Sequence, residues 1–313
     1  MRNEIRRAVE ILRAGGLVAF PTETVYGLGA DASSPAAVAR LYAAKRRPAG
    51  HPVIVHFADA ARAFEWAREV SAAARLLAAR FWPGPLTLIL KRSGRAGDFI
   101  TGGQDTVGVR VPSHPVAHAM LESFGGGVAA PSANVFGRVS ATTAAHVRED
   151  LAADADLVLD GGPSTIGIES AILDLSRSQP VLLRAGRITA AELAAALGEP
   201  VRAVDDAAPR APGTLERHYA PKTPARLVAP YTLDAEIGKA ESGVAALAFS
   251  RPDERVEYWL RMPRDPEAYA RRLYAALREL DTAGGKLILV ESPPDTPEWA
   301  AVLDRLRRAT SPG

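Results

Sequence analysis

The chain has 313 residues, of which 47% are hydrophobic and 24% charged, so it is able to bury the core of a globular protein. Its 38 basic and 36 acidic residues leave a net charge of +2, so whole-chain charge does not indicate nucleic-acid binding and any cationic site must be local. The absence of cysteine excludes disulfides, thiolate metal sites and a cysteine nucleophile. The apolar runs are too short for a signal peptide or a membrane span, and we expect a cytoplasmic protein.

The first two hundred residues predict alternating helices and strands. Ile5, Val9 and Leu12 share one helical face, and Ser34 followed by Pro35 is typical of a helix start. Short apolar runs predict strands at 17–21, 53–57, 86–90, 107–111, 128–131, 156–160, 170–175 and 181–184. Further helices are predicted at 74–82, 115–124, 142–151 and 188–198.

A change in composition separates this region from the C-terminal part. Residues 204–224 are rich in proline and alanine and lack periodicity, which predicts an interdomain linker. Beyond the linker, strands and helices alternate again, which predicts a small parallel α/β layer. The predicted division is a catalytic domain at 1–203, a linker or lid at 204–224, and a C-terminal α/β domain at 225–313.

Three polar loops follow predicted strands. They read PTETVYG (21–27), PSANVFGRVSATT (131–143) and GGPSTIGIES (161–170). Taken singly, the first two have a local alternative, which is an ST-turn for PTETVYG and helix capping by Ser140 or Thr142 for PSANVFGRVSATT. Three such loops together indicate a shared pocket, because open sheets bind ligands beyond the carboxyl ends of their strands.

Basic side chains accompany several of these strands. The stretch KRRPAGHPVIVHF (45–57) places three cations before an apolar strand, as a phosphate site would require. Arg110 interrupts an apolar strand, so it either faces solvent or receives a carboxylate, and Arg184 presents the same alternatives. His51 and His56 flank one strand at odd spacing, so only one of them can face a given pocket.

Other motifs are weaker. GLGADA (27–32) loosely matches a dinucleotide fingerprint, but that fingerprint requires a helix that begins at the glycines. The helix cap comes later here, at Ser34, so we interpret the segment as a glycine turn that allows close backbone approach. GGG (125–127) lacks the lysine of a Walker loop. His114 and His118 have no third ligand nearby, and we expect capping or surface roles and no protein metal site.

The motifs together resemble one family. FPTETVYGLGADA, KRRPAGHPVIVHF, FWPGPLTLIL, VGVRVPSHP, PSANVFGRVSATT and GIESAILDL occur in the order seen in the YrdC-like threonylcarbamoyl-AMP synthase family. APGTLERHYAPKTP resembles the linker of its longer, two-domain branch. The resemblance covers residues 3–224. It implies an open, twisted, mixed α/β sheet with a concave basic site, followed by a small Rossmann-like parallel α/β domain.

The resemblance also implies an activity and its ligands. L-threonine, bicarbonate or CO2, and ATP would give threonylcarbamoyl-AMP and pyrophosphate, for threonylcarbamoyladenosine formation on tRNA next to the anticodon. The implied ATP ligands are Lys45, Arg47, His51, Thr106, Ser132, Asn134, Thr142, Arg184 and Tyr219. Lys45 and Arg47 are also the implied catalytic groups. The implied threonine ligands are Thr24, His56, Arg110, Ser132 and Ser170. Departures from the family pattern are His51 for a common Asn, Ala171 for Thr, Ala185 for Pro, and Thr214-Leu215 for a pattern with Met.

The implied chemistry joins two anions, so positioning and cationic screening should matter more than a general base. We expect Mg2+ with ATP, held mainly by phosphate oxygens and water, and the linker as a lid against hydrolysis. The expected downstream partner is the tRNA threonylcarbamoyl transferase machinery, and direct tRNA binding is left open. The alternatives are a carbamoyl transferase of the same YrdC-like group and a non-catalytic module for double-stranded RNA.

Overall fold

The computed structural model describes residues 1–48, 50–240 and 242–311. Ala49, inside the predicted cationic stretch, and the last two positions of the predicted C-terminal domain lie outside the described residues. The chain divides into two compact units. Unit 1 consists of residues 1–136, 141–165 and 169–214. Unit 2 consists of residues 137–140, 166–168 and the chain from Leu215 onward.

Unit 1 alternates helices and strands, as the spacing of apolar residues predicts. Its helices are α1 (Arg2–Arg13), α2 (Pro35–Ala44), α3 (Ala60–Phe64), α4 (Ala72–Phe81), α5 (Asp98–Thr101), α6 (Pro115–Phe124), α7 (Ala144–Leu151) and α8 (Ala190–Leu197). Its strands are β1 (Val18–Phe20), β2 (Gly27–Asp31), β3 (Ile54–His56), β4 (Leu86–Lys91), β5 (Thr106–Arg110), β6 (Val128–Ala129), β7 (Leu157–Val158), β8 (Ala171–Asp174), β9 (Val181–Arg184) and β10 (Arg202–Ala203). Capping fixes several boundaries: Ser34 Oγ accepts the Ala37 N–H at the start of α2.

The strands of unit 1 form one mixed sheet in the order β10-β9-β8-β4-β5-β3-β6-β2-β1-β7. β5 runs parallel to β3 and antiparallel to β4, while β8 runs parallel to β4 and antiparallel to β9. The C-terminal ends of β3, β5 and β9 therefore meet the N-terminal ends of β4 and β8 at one edge. This edge carries His56, Arg110, Ser170 and Arg184.

Side chains alternate between the two faces of this sheet. Leu86, Leu88 and Leu90 of β4 point to the face that forms the main apolar core, together with residues of α2, α4 and α8. The opposite face is covered by α1 and α6 over Phe20 and Val128. It carries a second apolar cluster of Ile54, Ile89, Ile172, Val181 and Leu183, on which Ala211 packs. His56, Arg110 and Arg184, which are described below, belong to this second face.

The segment GLGADA is a strand, and the expectation of a turn was wrong. It forms β2, which pairs with β1 and β6. A Cβ at Gly29 would lie 2.8 Å from Val128 Cγ1 and 2.9 Å from Phe20 Cε1, so the groups that approach this glycine most closely are side chains. The glycine is required by side-chain packing on the sheet rather than by a turn.

Unit 2 contains a smaller sheet in the order β11-β14-β12-β13, and its pairings are parallel, as predicted. Its strands are β11 (Ala225–Val228), β12 (Val244–Ala248), β13 (Tyr258–Arg261) and β14 (Leu287–Glu291). Its α-helices are α9 (Leu233–Lys239), α10 (Pro266–Thr282) and α11 (Ala300–Thr310), and 3-10 turns span Pro230–Thr232 and Pro297–Trp299. Within the described residues, none of the helices combines the length and apolarity needed to cross a bilayer.

Candidate active site

A row of polar side chains crosses the second face of the sheet. His56 of β3 lies directly opposite Arg110 of β5 in the parallel register, and Arg184 of β9 lies opposite Ile172 of β8. Ile172 is also opposite Thr87 of β4. Strand β4 pairs with β5 up to Leu88 opposite Val109, and the next position of this antiparallel register sets Thr87 opposite Arg110. Register partners point to the same face, so the three predicted ligands share a face. At about 4.8 Å per strand, Arg184 and Arg110 are roughly 14 Å apart along the row.

Arg110 is buried, at 4% exposure, and its guanidinium is held by three acceptors. Nε donates to the Gly84 carbonyl at 3.2 Å, Nη1 to Thr24 Oγ1 at 3.0 Å, and Nη2 to Glu23 Oε1 at 2.6 Å. Of the two sequence alternatives, solvent exposure was therefore wrong. Arg110 receives a carboxylate from within the protein, and Glu23 was missed as its partner.

His56 is buried beside Arg110, with its ring edge-on to Phe20 at a centroid distance of 6.2 Å. Burial, reinforced by the charge of Arg110, lowers the pKa of His56 to about 3. The imidazole is therefore neutral at physiological pH, and it offers hydrogen bonds without adding a second cation to the row.

The cationic stretch meets the PSANVFG loop through Lys45. This lysine is buried, and its Nζ donates to the backbone carbonyls of Ser132 and Asn134. The Phe136 N–H donates back to the Lys45 carbonyl at 3.0 Å. Burial, and secondarily the neighbouring Arg47, lowers the pKa of Lys45 well below its usual value. The predicted lysine and serine–asparagine ligands therefore form one cluster.

The two adjacent arginines after Lys45 differ. Arg46 is exposed, with a positive φ of 54°. Arg47 is half-buried, with its guanidinium 5.7 Å from the Tyr42 ring centroid and 5.4 Å from that of Phe136, and its Nη2 donates to the Pro52 carbonyl at 2.7 Å. Arg47 is therefore held in one orientation beside Lys45.

His51 lies next to this cluster. Its ring is 5.5 Å from the ring of Phe136, and the Tyr42 hydroxyl donates to its backbone carbonyl at 2.5 Å. Partial burial, and secondarily the charges of Arg47 and Arg210, lowers the pKa of His51. The structure thus brings His51 to the predicted nucleotide ligands and His56 to the predicted threonine ligands.

Ser170 and Arg184 form a third polar group. Arg184 Nε donates to the Ser170 carbonyl at 3.0 Å, and Nη2 donates to Ser170 Oγ at 3.2 Å. Ser170 Oγ also hydrogen-bonds to Thr87 Oγ1 at 2.8 Å. Arg184 Nη1 donates to the Pro212 carbonyl at 2.9 Å, so the first half of the predicted linker is hydrogen-bonded to this group.

The three polar loops converge as predicted. Ser164 Oγ donates to the Thr22 carbonyl at 3.0 Å, and its N–H donates to the Thr142 carbonyl at 2.9 Å. Tyr26 donates its N–H to the Ala141 carbonyl at 2.8 Å and its hydroxyl to the Gly162 carbonyl at 2.8 Å. Each loop is therefore bonded to the other two, and local capping alone does not explain their residues.

Comparison with known proteins identifies the family. A family model described as Telomere recombination matches residues 10–186, and one described as the threonylcarbamoyl-AMP synthase C-terminal domain matches residues 188–311. A protein named threonylcarbamoyl-AMP synthase from Pyrococcus abyssi is 40% identical, and the match covers 98% of this chain and 94% of that protein. This chain belongs to the threonylcarbamoyl-AMP synthase family. A relative of the same name from Bacillus subtilis is 38% identical, over 98% of this chain and 92% of that protein.

The fold of the family is also matched in solved structures. The crystal structure of P. abyssi Sua5 complexed with L-threonine has a TM-score of 0.91 and 39% identity to this chain, and the match covers 98% of this chain and 94% of that chain. The predicted family, its two-domain branch and the α/β fold are therefore confirmed. The roles of individual residues in this threonylcarbamoyl-AMP synthase family member stay predictions.

One predicted ligand of unit 1, Thr106, lies apart from these groups. Thr106 begins β5, about 13 Å along the strand from Arg110 at the other end. Tyr219 belongs to unit 2, where it is buried with a positive φ of 60°. Its ring is 5.7 Å from that of Tyr274, and the guanidinium of Arg305 lies 5.3 Å from its centroid. Thr142, by contrast, lies at the loop junction, where its Oγ1 is 3.3 Å from His146 Nδ1.

Sequence reasoning missed the contribution of four residues to the site. Glu23 pairs with Arg110, Thr87 supports Ser170, and the Tyr42 and Phe136 rings flank Arg47. Of these residues, only Glu23 could have been proposed from the sequence, because it is an acidic residue in a loop directly after a buried strand. The expectation of a capping role is confirmed for His114, whose Nδ1 accepts the Val116 N–H at 3.2 Å.

Proposed function

We infer that this chain is an L-threonylcarbamoyladenylate synthase, an adenylyl-transferring enzyme that uses ATP and L-threonine. The single observation that carries the inference is that this member of the family contains two separate cationic groups. One is the Lys45–Arg47 cluster on the Ser132–Asn134 loop, and the other is Arg110 in the polar row. One group suits a triphosphate and the other suits the carboxylate of an amino acid.

The proposed reaction first joins the amine of threonine to bicarbonate with loss of water, or to CO2 with loss of an amine proton, and gives a carbamate. The resulting carbamate oxygen attacks the α-phosphorus of ATP, and the bond to the β-phosphate oxygen breaks to release pyrophosphate. Because both reactants are anions, the main barrier is to bring them together in line. Lys45 and Arg47 supply fixed positive charge, which stabilises the negative charge that develops on the α-phosphate of the transferred adenylyl group.

On the threonine side, we propose that Arg110 receives the α-carboxylate while Thr24, His56, Ser132 and Ser170 contact the rest of the molecule. A planar guanidinium can bind a carboxylate through two parallel hydrogen bonds, which an ammonium cannot reproduce. The neutral imidazole of His56 lets the site offer a hydrogen bond without a second positive charge.

On the nucleotide side, we propose that ATP is bound by the Lys45 cluster with His51 and Thr142, and by Thr106, Arg184 and Tyr219. Mg2+ would accompany ATP. No three His, Cys, Asp or Glu side chains come together as a metal site in the described part of the chain. We propose that the cation is held by phosphate oxygens and water, which is the usual coordination of Mg2+ with nucleotides.

The wider role follows from the same reaction class. We propose that the product supplies threonylcarbamoyladenosine formation on tRNA next to the anticodon, through a downstream threonylcarbamoyl transferase, in the cytoplasm. We also propose that residues 204–224 act as a lid that limits hydrolysis. Their first half is attached to unit 1, because Arg210 donates to the carbonyls of Gly50 and Gly102 at 2.9 and 2.7 Å.

The test is to follow pyrophosphate release with ATP, Mg2+, threonine and bicarbonate, and then to omit one component at a time. The proposal predicts release only with the full set. An Arg110→Ala variant purified in the same way should lose the threonine-dependent release, which excludes a contaminating enzyme. Pyrophosphate release that does not depend on threonine contradicts the proposal, as does RNA binding without any turnover.

A further inference from the structure

Glu23 is a buried acid that uses both of its carboxylate oxygens. It is 6% exposed. Oε1 accepts from Arg110 Nη2 at 2.6 Å, and Oε2 accepts the backbone N–H of Ser113 at 3.0 Å. Arg110 and Ser113 lie on either side of the point where β5 leaves the sheet. Glu23, in the loop after β1, therefore joins that loop to the end of β5.

The guanidinium of Arg110 is fixed by acceptors from separate parts of the chain. Glu23 and Thr24 belong to the loop after β1, and Gly84 belongs to the turn before β4. Three contacts in different directions leave one orientation for a planar group with five N–H donors. Arg110 is therefore ordered before any ligand arrives, so binding does not have to order it.

The contacts that fix Arg110 do not use all of its donors. Each terminal nitrogen has two N–H groups, and each donates to one protein acceptor. One N–H on Nη1 and one on Nη2 have no further protein acceptor among the described residues. Two such donors on one guanidinium can receive a ligand carboxylate. The three protein acceptors set the direction in which these two N–H groups point. Glu23 is the charged one among these acceptors.

We propose that Glu23 is the positioning residue for recognition of the amino-acid carboxylate: it holds Arg110 so that the two remaining N–H groups meet the substrate. The proposal rests on the proposed function, because it takes the carboxylate to be that of the amino acid. Glu23 acts through Arg110 and need not touch the substrate. Its loss should therefore weaken binding of the amino acid and leave binding of the nucleotide nearly unchanged.

The main test is Glu23→Gln. The amide keeps the shape of the carboxylate but has one acceptor oxygen, so its NH2 group must face a donor of either Arg110 or Ser113. We expect KM for threonine to rise by about 10- to 150-fold, the loss expected for one charge-assisted hydrogen bond. We expect KM for ATP to change by less than about 3-fold. Glu23→Asp, which keeps the charge but is too short to reach both partners, should raise KM for threonine by a smaller factor.

A matched control is Asp174→Asn. Asp174 is buried in β8 and pairs with Arg177 at 3.0 Å, so it resembles Glu23 in burial and chemistry. It lies about 13 Å along the strand from Ser170. We expect Asp174→Asn to lower the Tm without changing KM for threonine. A second readout is the rise in Tm caused by threonine alone, which measures binding without turnover and should be lost in Glu23→Gln.

Several outcomes would overturn the proposal while leaving the proposed function intact. KM for threonine could be unchanged in Glu23→Gln, or it could fall because Glu23 merely competes with the substrate for Arg110. KM for ATP could also rise as much as KM for threonine, which would indicate a purely structural role. If instead the wild-type protein gives no threonine-dependent pyrophosphate, the proposed function fails. The Tm shift with threonine then decides the role of Glu23 separately.

Discussion

Adjacent arginines with equal charge offer a sharp test of how the nucleotide site works. Arg46 is exposed, whereas Arg47 lies between the Tyr42 and Phe136 rings and donates to the Pro52 carbonyl. Arg47→Gln and Arg46→Gln each remove one positive charge from neighbouring positions. The two variants therefore separate a positioned phosphate ligand from a general cationic field.

The expected magnitude follows from one contact. A charge-assisted hydrogen bond to a phosphate contributes about 1.5–3 kcal/mol, and each 1.36 kcal/mol corresponds to about a tenfold change. Arg47→Gln should therefore raise KM for ATP by about 10- to 150-fold. Loss of the two ring contacts should also lower the free energy of unfolding by about 1–2 kcal/mol. Arg46→Gln should change both quantities little, since substitutions at exposed sites usually stay within about 0.5 kcal/mol.

The assay is pyrophosphate release at varied ATP with saturating threonine and bicarbonate, at fixed ionic strength because exposed charges are screened by salt. Urea unfolding of each variant provides the stability measurement. Equal losses for the two variants would refute the reasoning, because they would show that charge alone, without the packing around Arg47, accounts for ATP binding.

Three further predictions concern neighbouring groups. Lys45→Met should raise KM for ATP by about 10-fold or more without a comparable change for threonine, since it removes a cation and frees the carbonyls of Ser132 and Asn134; steady-state kinetics would contradict this if both KM values rose together. Ser170→Ala should lower the free energy of unfolding by about 1–3 kcal/mol in urea, because Arg184 and Thr87 lose a buried partner; an unchanged urea midpoint would oppose it. Burial lowers the pKa of His56 from 6.5 to about 3. Between pH 6.5 and pH 3 the unfolded chain therefore binds one more proton than the folded chain, and the free energy of unfolding falls by about 1.4 kcal/mol for each pH unit as the pH drops. His56→Gln should remove this component, and a wild-type-minus-variant difference that does not vary with pH would show that the imidazole is not held neutral.

Local patterns predicted most of the elements and failed where packing decides. Helix α6 was predicted with both ends correct, because Pro115 begins it and Gly125 ends it in the left-handed conformation. β2 was missed because its glycines are typical of turns, although Phe20 and Val128 require them in a strand. β13 was not predicted because its apolar run is only three residues long and lies between Glu257 and Arg261, whereas a strand is usually marked by four or more.

The sequence predicted candidate site residues, several of which the fold brings together, but it did not predict their arrangement. The hydroxyl-rich loops after strands carry a local signal, and they do converge. The pairing of His56 with Arg110 depends on β3 lying beside β5, and the order of strands in a sheet is not written in any local segment. Glu23 and Arg110 are 87 residues apart, so their ion pair could be found only from the fold.

The account depends most directly on the identity of the product. The decisive measurement is mass spectrometry of the nucleotide formed from ATP, threonine and 13C-bicarbonate, together with pyrophosphate counted in the same reaction. The account predicts one product that contains AMP, threonine and the labelled carbon, in equal amount to pyrophosphate. A threonine adenylate without the label, or pyrophosphate formed without threonine, would contradict it.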